Sequence, residues 1–176
     1  MIVLCRHGAT DGNAAGAFLS RSDPPLNATG IAQCLNLREA LRDARFARCF
    51  VSPSLRCLQT RSLVAPDVAY DVVPALREVD FGEWEGRTLE WLVANDPRGV
   101  RRRRHDPVSF RPPQGESFAD VAVRLAELAG RLSVAADALV VGHRGTLGVL
   151  ERLLRGLPLR SSAVAPMEPG EYHTIE

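Results

Sequence analysis

Polar residues able to do chemistry follow three apolar runs: Arg6 and His7 follow Met1-Ile2-Val3-Leu4-Cys5, Ser52-Pro53-Ser54 and then Arg56 follow Cys49 to Val51, and His143 follows the run from Ala138 to Gly142. A neutral imidazole is a nucleophile, and a guanidinium fork can give a phosphate two parallel hydrogen bonds. The stretch Leu76 to Arg87 adds Glu78, Asp80, Glu83 and Glu85, each a candidate proton donor and each equally able to be a surface ion pair. A histidine at a strand end is more often structural than catalytic, so Arg6-His7-Gly8 alone decides nothing.

Composition removes several other chemistries. All 22 basic residues of the 176 are arginine, so mechanisms that need a lysine, on a Walker A loop or in a Schiff base, cannot run here. Cys5, Cys34, Cys49 and Cys57 include no C-x-x-C pair, and none has arginine six positions on, which removes the cysteine-phosphatase loop as well. The thiols suit a reduced, cytoplasmic protein. A formal net charge of +1 gives no general reason to expect nucleic acid or an anionic membrane as partner. No uncharged apolar run approaches the roughly 18 residues of a membrane span. The length suits one domain with a real core.

The elements that must hold these residues alternate between strand and helix. Short apolar runs predict buried strands at Met1 to Cys5, Cys49 to Val51 and Ala138 to Gly142, with a weaker strand at Val68 to Val73. Helical spacing predicts helices from Ala28 to Ala44, with Asn27 or Thr29 near the cap, from Leu55 to before Pro66, from Thr88 to about Asn95, and from Thr146 to Arg155. The strongest helix begins at Ser117-x-x-Asp120, a capping-box pattern, with Phe118, Val121, Leu125, Leu128 and Leu132 along one face. Leu76 to Arg87 reads as an ordered loop, and Asp96 to Gln114 as a polar excursion from the core. Such alternation predicts an α/β domain, a three-layer α/β/α sandwich with a mostly parallel sheet, whose ligand site lies beyond the carboxyl ends of the strands.

Five blocks in order resemble the histidine phosphatase superfamily, also called phosphoglycerate mutase-like. They are Leu4-Cys5-Arg6-His7-Gly8-Ala9-Thr10 with Asn13 and Asp23-Pro24-Pro25-Leu26; Ser52-Pro53-Ser54-Leu55-Arg56 through Gln59-Thr60; Leu76-Arg77-Glu78-Val79-Asp80-Phe81-Gly82-Glu83-Trp84-Glu85-Gly86; Gly115-Glu116-Ser117; and Val140-Val141-Gly142-His143. The resemblance implies a phosphoglycerate mutase-like fold over 1–176, with a small variable cap at about 88–114. It implies His7 as nucleophile and Glu78 as general acid, with Arg6, Asn13, Arg56 and His143 around the phosphoryl oxygens. The implied reaction is metal-independent hydrolysis of a small-molecule phosphomonoester through a phosphohistidine, with no cofactor. Within the family the acidic loop looks most like that of alpha-ribazole phosphatases and related broad-specificity phosphatases. A phosphoglycerate mutase-type phosphotransferase and a non-catalytic phosphate-binding module on the same fold are the alternatives.

The chain departs from the family pattern after the second histidine, where Arg144-Gly145 replaces two small residues and Gly148 stands where an arginine is frequent. Arg144 either turns to solvent or reaches a second anionic group of the substrate, and Arg21 and Ser22 are further possible substrate contacts. The run Arg101-Arg102-Arg103-Arg104-His105 reads first as a solvated surface rather than a nucleic-acid footprint, with the option that one or two of its arginines line the substrate mouth.

Overall fold

In the computed structural model, described here for residues 1–135, 137–160 and 165–176, a single five-stranded sheet carries helices on both faces. The strands are β1 (Ile2–Arg6), β2 (Arg48–Val51), β3 (Tyr70–Val72), β4 (Ala138–Gly142) and β5 (Tyr172–Ile175), in the order β3-β2-β4-β1-β5. All neighbours are parallel except β5, which pairs antiparallel with β1. Four strands therefore finish at one edge, and the register pairs Arg6 with Gly142 and Val51 with Val141. His7, Ser52 and His143 follow side by side.

The period-two alternation of strand side chains divides the apolar residues between two cores. Ile2, Leu4, Phe50 and Val140 face a core closed by α6 (Phe118–Ser133) and α7 (Arg144–Leu154). Val3, Cys5, Cys49, Val51, Leu139 and Val141 face a second core closed by α2 (Ala28–Ala40) and α3 (Leu55–Val64). This is the three-layer arrangement expected from the sequence. The short α1 (Asp11–Ala14) follows the turn after β1, while α4 (Leu89–Asn95) and α5 (Pro97–His105) pack on a smaller cluster of Trp84, Leu92, Val100 and Phe110.

Local differences from the sequence expectations have identifiable causes. Within Asp96 to Gln114, helix α5 forms with Asp96 as its N-cap and Pro97 in its first turn, signals that the apolar spacing of this arginine-rich stretch does not echo. α2 stops at Ala40 rather than Ala44, and the carbonyls of Arg42 and Ala44 are taken by the Arg45 side chain. The acidic loop contains two 3₁₀ turns, Pro74–Leu76 and Gly82–Trp84. β5 has no continuous apolar run to announce it, as suits an edge strand. The capping box at Ser117 forms, with the Asp120 carboxylate accepting from both the Ser117 amide and its hydroxyl.

Candidate active site

Beyond the strand ends lies a cavity of about 750 Å³ whose lining includes Arg6, His7, Asn13, Arg56, Glu78 and Arg144. His7 is almost fully buried, and its Nδ1 donates to the Gly8 carbonyl oxygen at 2.8 Å. A carbonyl only accepts, so the neutral ring carries its proton on Nδ1 and keeps the lone pair on Nε2. Burial, then the Arg56 charge, pushes the pKa of His7 down from 6.5 to about 3, with Arg6 adding to the effect and the Gly8 bond opposing it. The ring is thus neutral, and nucleophilic, at ordinary pH. The turn that aims it depends on Gly8: a Cβ there would lie 2.5 Å from the Gly30 carbonyl oxygen and 3.0 Å from Cys34 Sγ, so only glycine lets the loop approach α2 so closely.

The two arginines are anchored from different sides. Arg6 Nη1 donates to the Met167 carbonyl at 2.8 Å, while its buried Nε finds no partner among the described residues, a donor available to an anion. Arg56 Nη1 donates to the Ser22 carbonyl at 3.0 Å and to Asp23 at 3.3 Å, and its Nη2 donates to His143 Nδ1 at 3.3 Å. Asn13 has its Oδ1 held by the Thr10 amide and hydroxyl, which leaves its side-chain NH₂ as the group available to a ligand.

His143 belongs to the cluster but stands behind it. Its ring is 1% exposed and packs edge-on to His7 with centroids 5.1 Å apart. Because Arg56 can only donate, Nδ1 accepts, and the ring proton lies on Nε2 facing Ser52 Oγ at 2.9 Å. Burial and the neighbouring His7 and arginine charges hold His143 neutral, its pKa well below the ordinary value. It therefore orients Arg56.

Glu78 is the acid of the loop that reaches the cavity. Its Oε1 accepts from the Val79 amide at 2.9 Å, the Thr146 amide at 3.0 Å and the Thr146 hydroxyl at 3.2 Å, and its Oε2 accepts from the Gly145 amide at 3.1 Å. The carboxylate thus caps the first turn of α7, accepting from N–H groups that have no partner within the helix. This cap, delivered from 67 residues away, is why α7 begins at Arg144 instead of Thr146. Asp80 instead bonds Arg21 and the Gly82 amide, Glu83 accepts from Gln114, and Glu85 bonds Ser20 and Ser22.

A Cβ on Gly145 would come within 2.8 Å of both Glu78 Oε1 and Val79 Cγ2. Gly145→Ala is therefore expected to push Glu78 off its seat and cut kcat by about 10²-fold, the low end of what a general acid contributes, while the melting temperature falls by no more than about a few degrees as α7 loses this cap. Steady-state kinetics beside a thermal melt checks this. Acid should act on stability through His7: between about pH 6.5 and 3 the unfolded chain binds a proton there that the folded chain refuses. Stability is accordingly expected to fall as pH drops through that window, and urea titrations should show a shallower fall for His7→Ala.

Of the remaining sequence candidates, Arg144 lines the cavity and is half exposed, 3.6 Å from Glu168. Arg21 and Ser22 are not among the lining residues: Arg21 lies exposed on Asp80, and Ser22 acts through its backbone on Arg56. Arg103 alone of its run reaches the cavity, its guanidinium 5.0 Å above the Phe18 ring and 5.7 Å from that of Trp84. Two contributors have no advance signal as site residues: the Met167 carbonyl, a backbone group, and Thr146, marked only by being polar near a helix start. Among the described residues no three His, Cys, Asp or Glu side chains converge as a metal-holding group, and no helix is long and apolar enough to cross a membrane.

A parallel α/β sheet with this histidine-arginine-glutamate cluster at its carboxyl edge defines a phosphoryl-handling enzyme, and comparison with known proteins gives the family. Residues 2–176 match the model of the histidine phosphatase superfamily (branch 1), to which the chain belongs. The adenosylcobalamin/alpha-ribazole phosphatase of Salmonella typhimurium is 32% identical, the match covering 98% of this chain and 88% of that protein. A probable phosphoglycerate mutase of Proteus mirabilis is also 32% identical, over 89% of this chain and 75% of the relative. Among solved structures, a putative alpha-ribazole-5'-P phosphatase from Escherichia coli superposes with a TM-score of 0.86 at 30% identity, covering 97% of this chain and 87% of the other. The chain is a phosphatase of the phosphohistidine type.

Proposed function

We propose that this enzyme hydrolyses phosphomonoesters with a bulky, largely apolar leaving group, alpha-ribazole 5'-phosphate being the leading candidate, by a two-step transfer through His7. The observation that carries the proposal is a single cavity that holds the free Nε2 of His7, the donors of Arg6 and Arg56, and the Glu78 carboxylate. In the first step Nε2 attacks phosphorus, a P–N bond forms, and the ester P–O bond breaks while protonated Glu78 gives its proton to the departing alkoxide. Oε2, which takes only one hydrogen bond, is the oxygen with room for that proton. In the second step Glu78 takes a proton from water, the hydroxide attacks phosphorus, and the P–N bond breaks to free His7 and inorganic phosphate. Arg6 and Arg56, with Asn13, steady the charge on the equatorial oxygens in both steps.

The leaving-group preference rests on the cavity lining, to which Phe18, Phe81, Phe118, Val149, Leu159 and Met167 contribute apolar side chains. A wall of that kind favours an aromatic or extended organic group over a small polyol. A single domain with a cap made by α4 and α5 fits this division of labour, and four free buried cysteines suit a reduced cytoplasmic setting. A phosphate-release panel tests the proposal. Alpha-ribazole 5'-phosphate should exceed glycerol phosphate in kcat/KM by at least about tenfold, the effect of a few buried methylene equivalents. Interconversion of phosphoglycerates primed with bisphosphoglycerate, at a rate above phosphate release, would instead favour a mutase.

A further inference from the structure

Glu85 is an acid of the loop that the chemistry above leaves unused, and its surroundings give it another task. It is half-buried, yet it forms no ion pair among the described residues. Its Oε2 accepts from the Ser20 amide at 2.8 Å and the Ser20 hydroxyl at 2.6 Å, and its Oε1 accepts from the Ser22 amide at 3.0 Å. Ser20 Oγ in turn accepts from the Phe81 amide at 3.1 Å, so one carboxylate ties residues 20–22 to the loop that also bears Glu78. Although burial opposes ionisation, these hydrogen bonds hold its pKa below the ordinary value.

The segment it pins supplies both oxygens that hold Arg56 Nη1: the Ser22 carbonyl at 3.0 Å and Asp23 Oδ1 at 3.3 Å. Asp23 is itself fixed by the Leu55 amide, which bonds both of its oxygens at 2.9 Å. Ser22 has no partner on α3 among the described residues other than Arg56 itself, and its amide is held by Glu85. A guanidinium binds phosphate well only when its fork is already oriented, because a free side chain loses rotamer entropy on binding. We propose that Glu85 is a positioning residue of the phosphate clamp, acting through the Ser20–Ser22 turn to fix Arg56. The proposal rests on the phosphatase reading of the site for its purpose, and on geometry alone for its coupling.

A double-mutant cycle read by calorimetric binding of tungstate, a phosphate-shaped anion, tests it on the full chain. Glu85→Gln is expected to weaken tungstate about tenfold when Arg56 is present and by no more than about twofold in the Arg56→Ala background, the non-additivity of residues acting through one another. Equal losses in the two backgrounds would overturn the proposal. Urea unfolding confirms that each variant is folded. If Glu85→Gln is not, Ser20→Ala removes one of the three Glu85 bonds together with the acceptor of the Phe81 amide, and is expected to weaken tungstate about threefold with the same dependence on Arg56, additivity there counting equally against the proposal. Should wild type bind tungstate but release no phosphate from any monoester, the phosphatase reading fails while the coupling is still measured. Turnover with additive effects sinks the positioning role alone.

Discussion

Replacing His7 by alanine is expected to lower phosphate release by about 10⁴-fold or more, the scale of losing the nucleophile in a covalent mechanism. The variant should still fold, because the lost ring leaves Gly8 bonded to Thr60 and the β1 ladder intact. It should still bind tungstate measurably, since Arg6 and Arg56 remain. Stopped or end-point phosphate assays on a generic monoester check the first statement, and calorimetry the second. A variant that retains more than about one per cent of activity would mean that water is attacking phosphorus directly and that His7 only shapes the site.

Arg56→Ala is expected to cut kcat/KM by about 10²- to 10³-fold, the usual consequence of removing one preorganised donor from a transition-state oxyanion. The same change also disturbs the scaffold around Arg56: Asp23 loses its cation partner and the neutral His143 loses the donor at its Nδ1. The exposed Arg42, paired on the surface with Glu39 and Asp43, is the contrast: its alanine variant should match wild type within about twofold. Kinetics on the two variants in parallel separates a phosphate clamp from a general demand for positive charge, because both remove one arginine from a chain that has 22.

The sequence made much of this site legible because its residues sit at the ends of strands that announce themselves as short apolar runs. Arg6 at the end of β1, His7 just beyond it and His143 after β4 come together by parallel pairing alone, and Arg56 lies in the first turn of the helix that follows β2. What local pattern could not show are the contacts made across the fold. Arg21, a plausible substrate contact by position, is captured by Asp80 from 59 residues away. His143 is drawn behind Arg56, and the start of α7 is set by a carboxylate on a distant loop. Choosing Glu78 among four acids relied on resemblance, and the structure adds a geometric distinction, since of the four only Glu78 lines the cavity that holds His7. Helix α5 escaped because a face made of arginine carries no apolar rhythm, although Asp96-Pro97 marks its beginning.

The central claim is that phosphate passes through a covalent bond to His7 Nε2. Mixing the enzyme with a ³²P-labelled monoester, quenching in alkali within the turnover time and mapping the labelled peptide tests it most directly. The account predicts one label per chain at most, on the peptide bearing His7, stable in alkali, lost in acid and absent from His7→Ala. Steady turnover with no label on that peptide, or with label on a serine or cysteine, would contradict it.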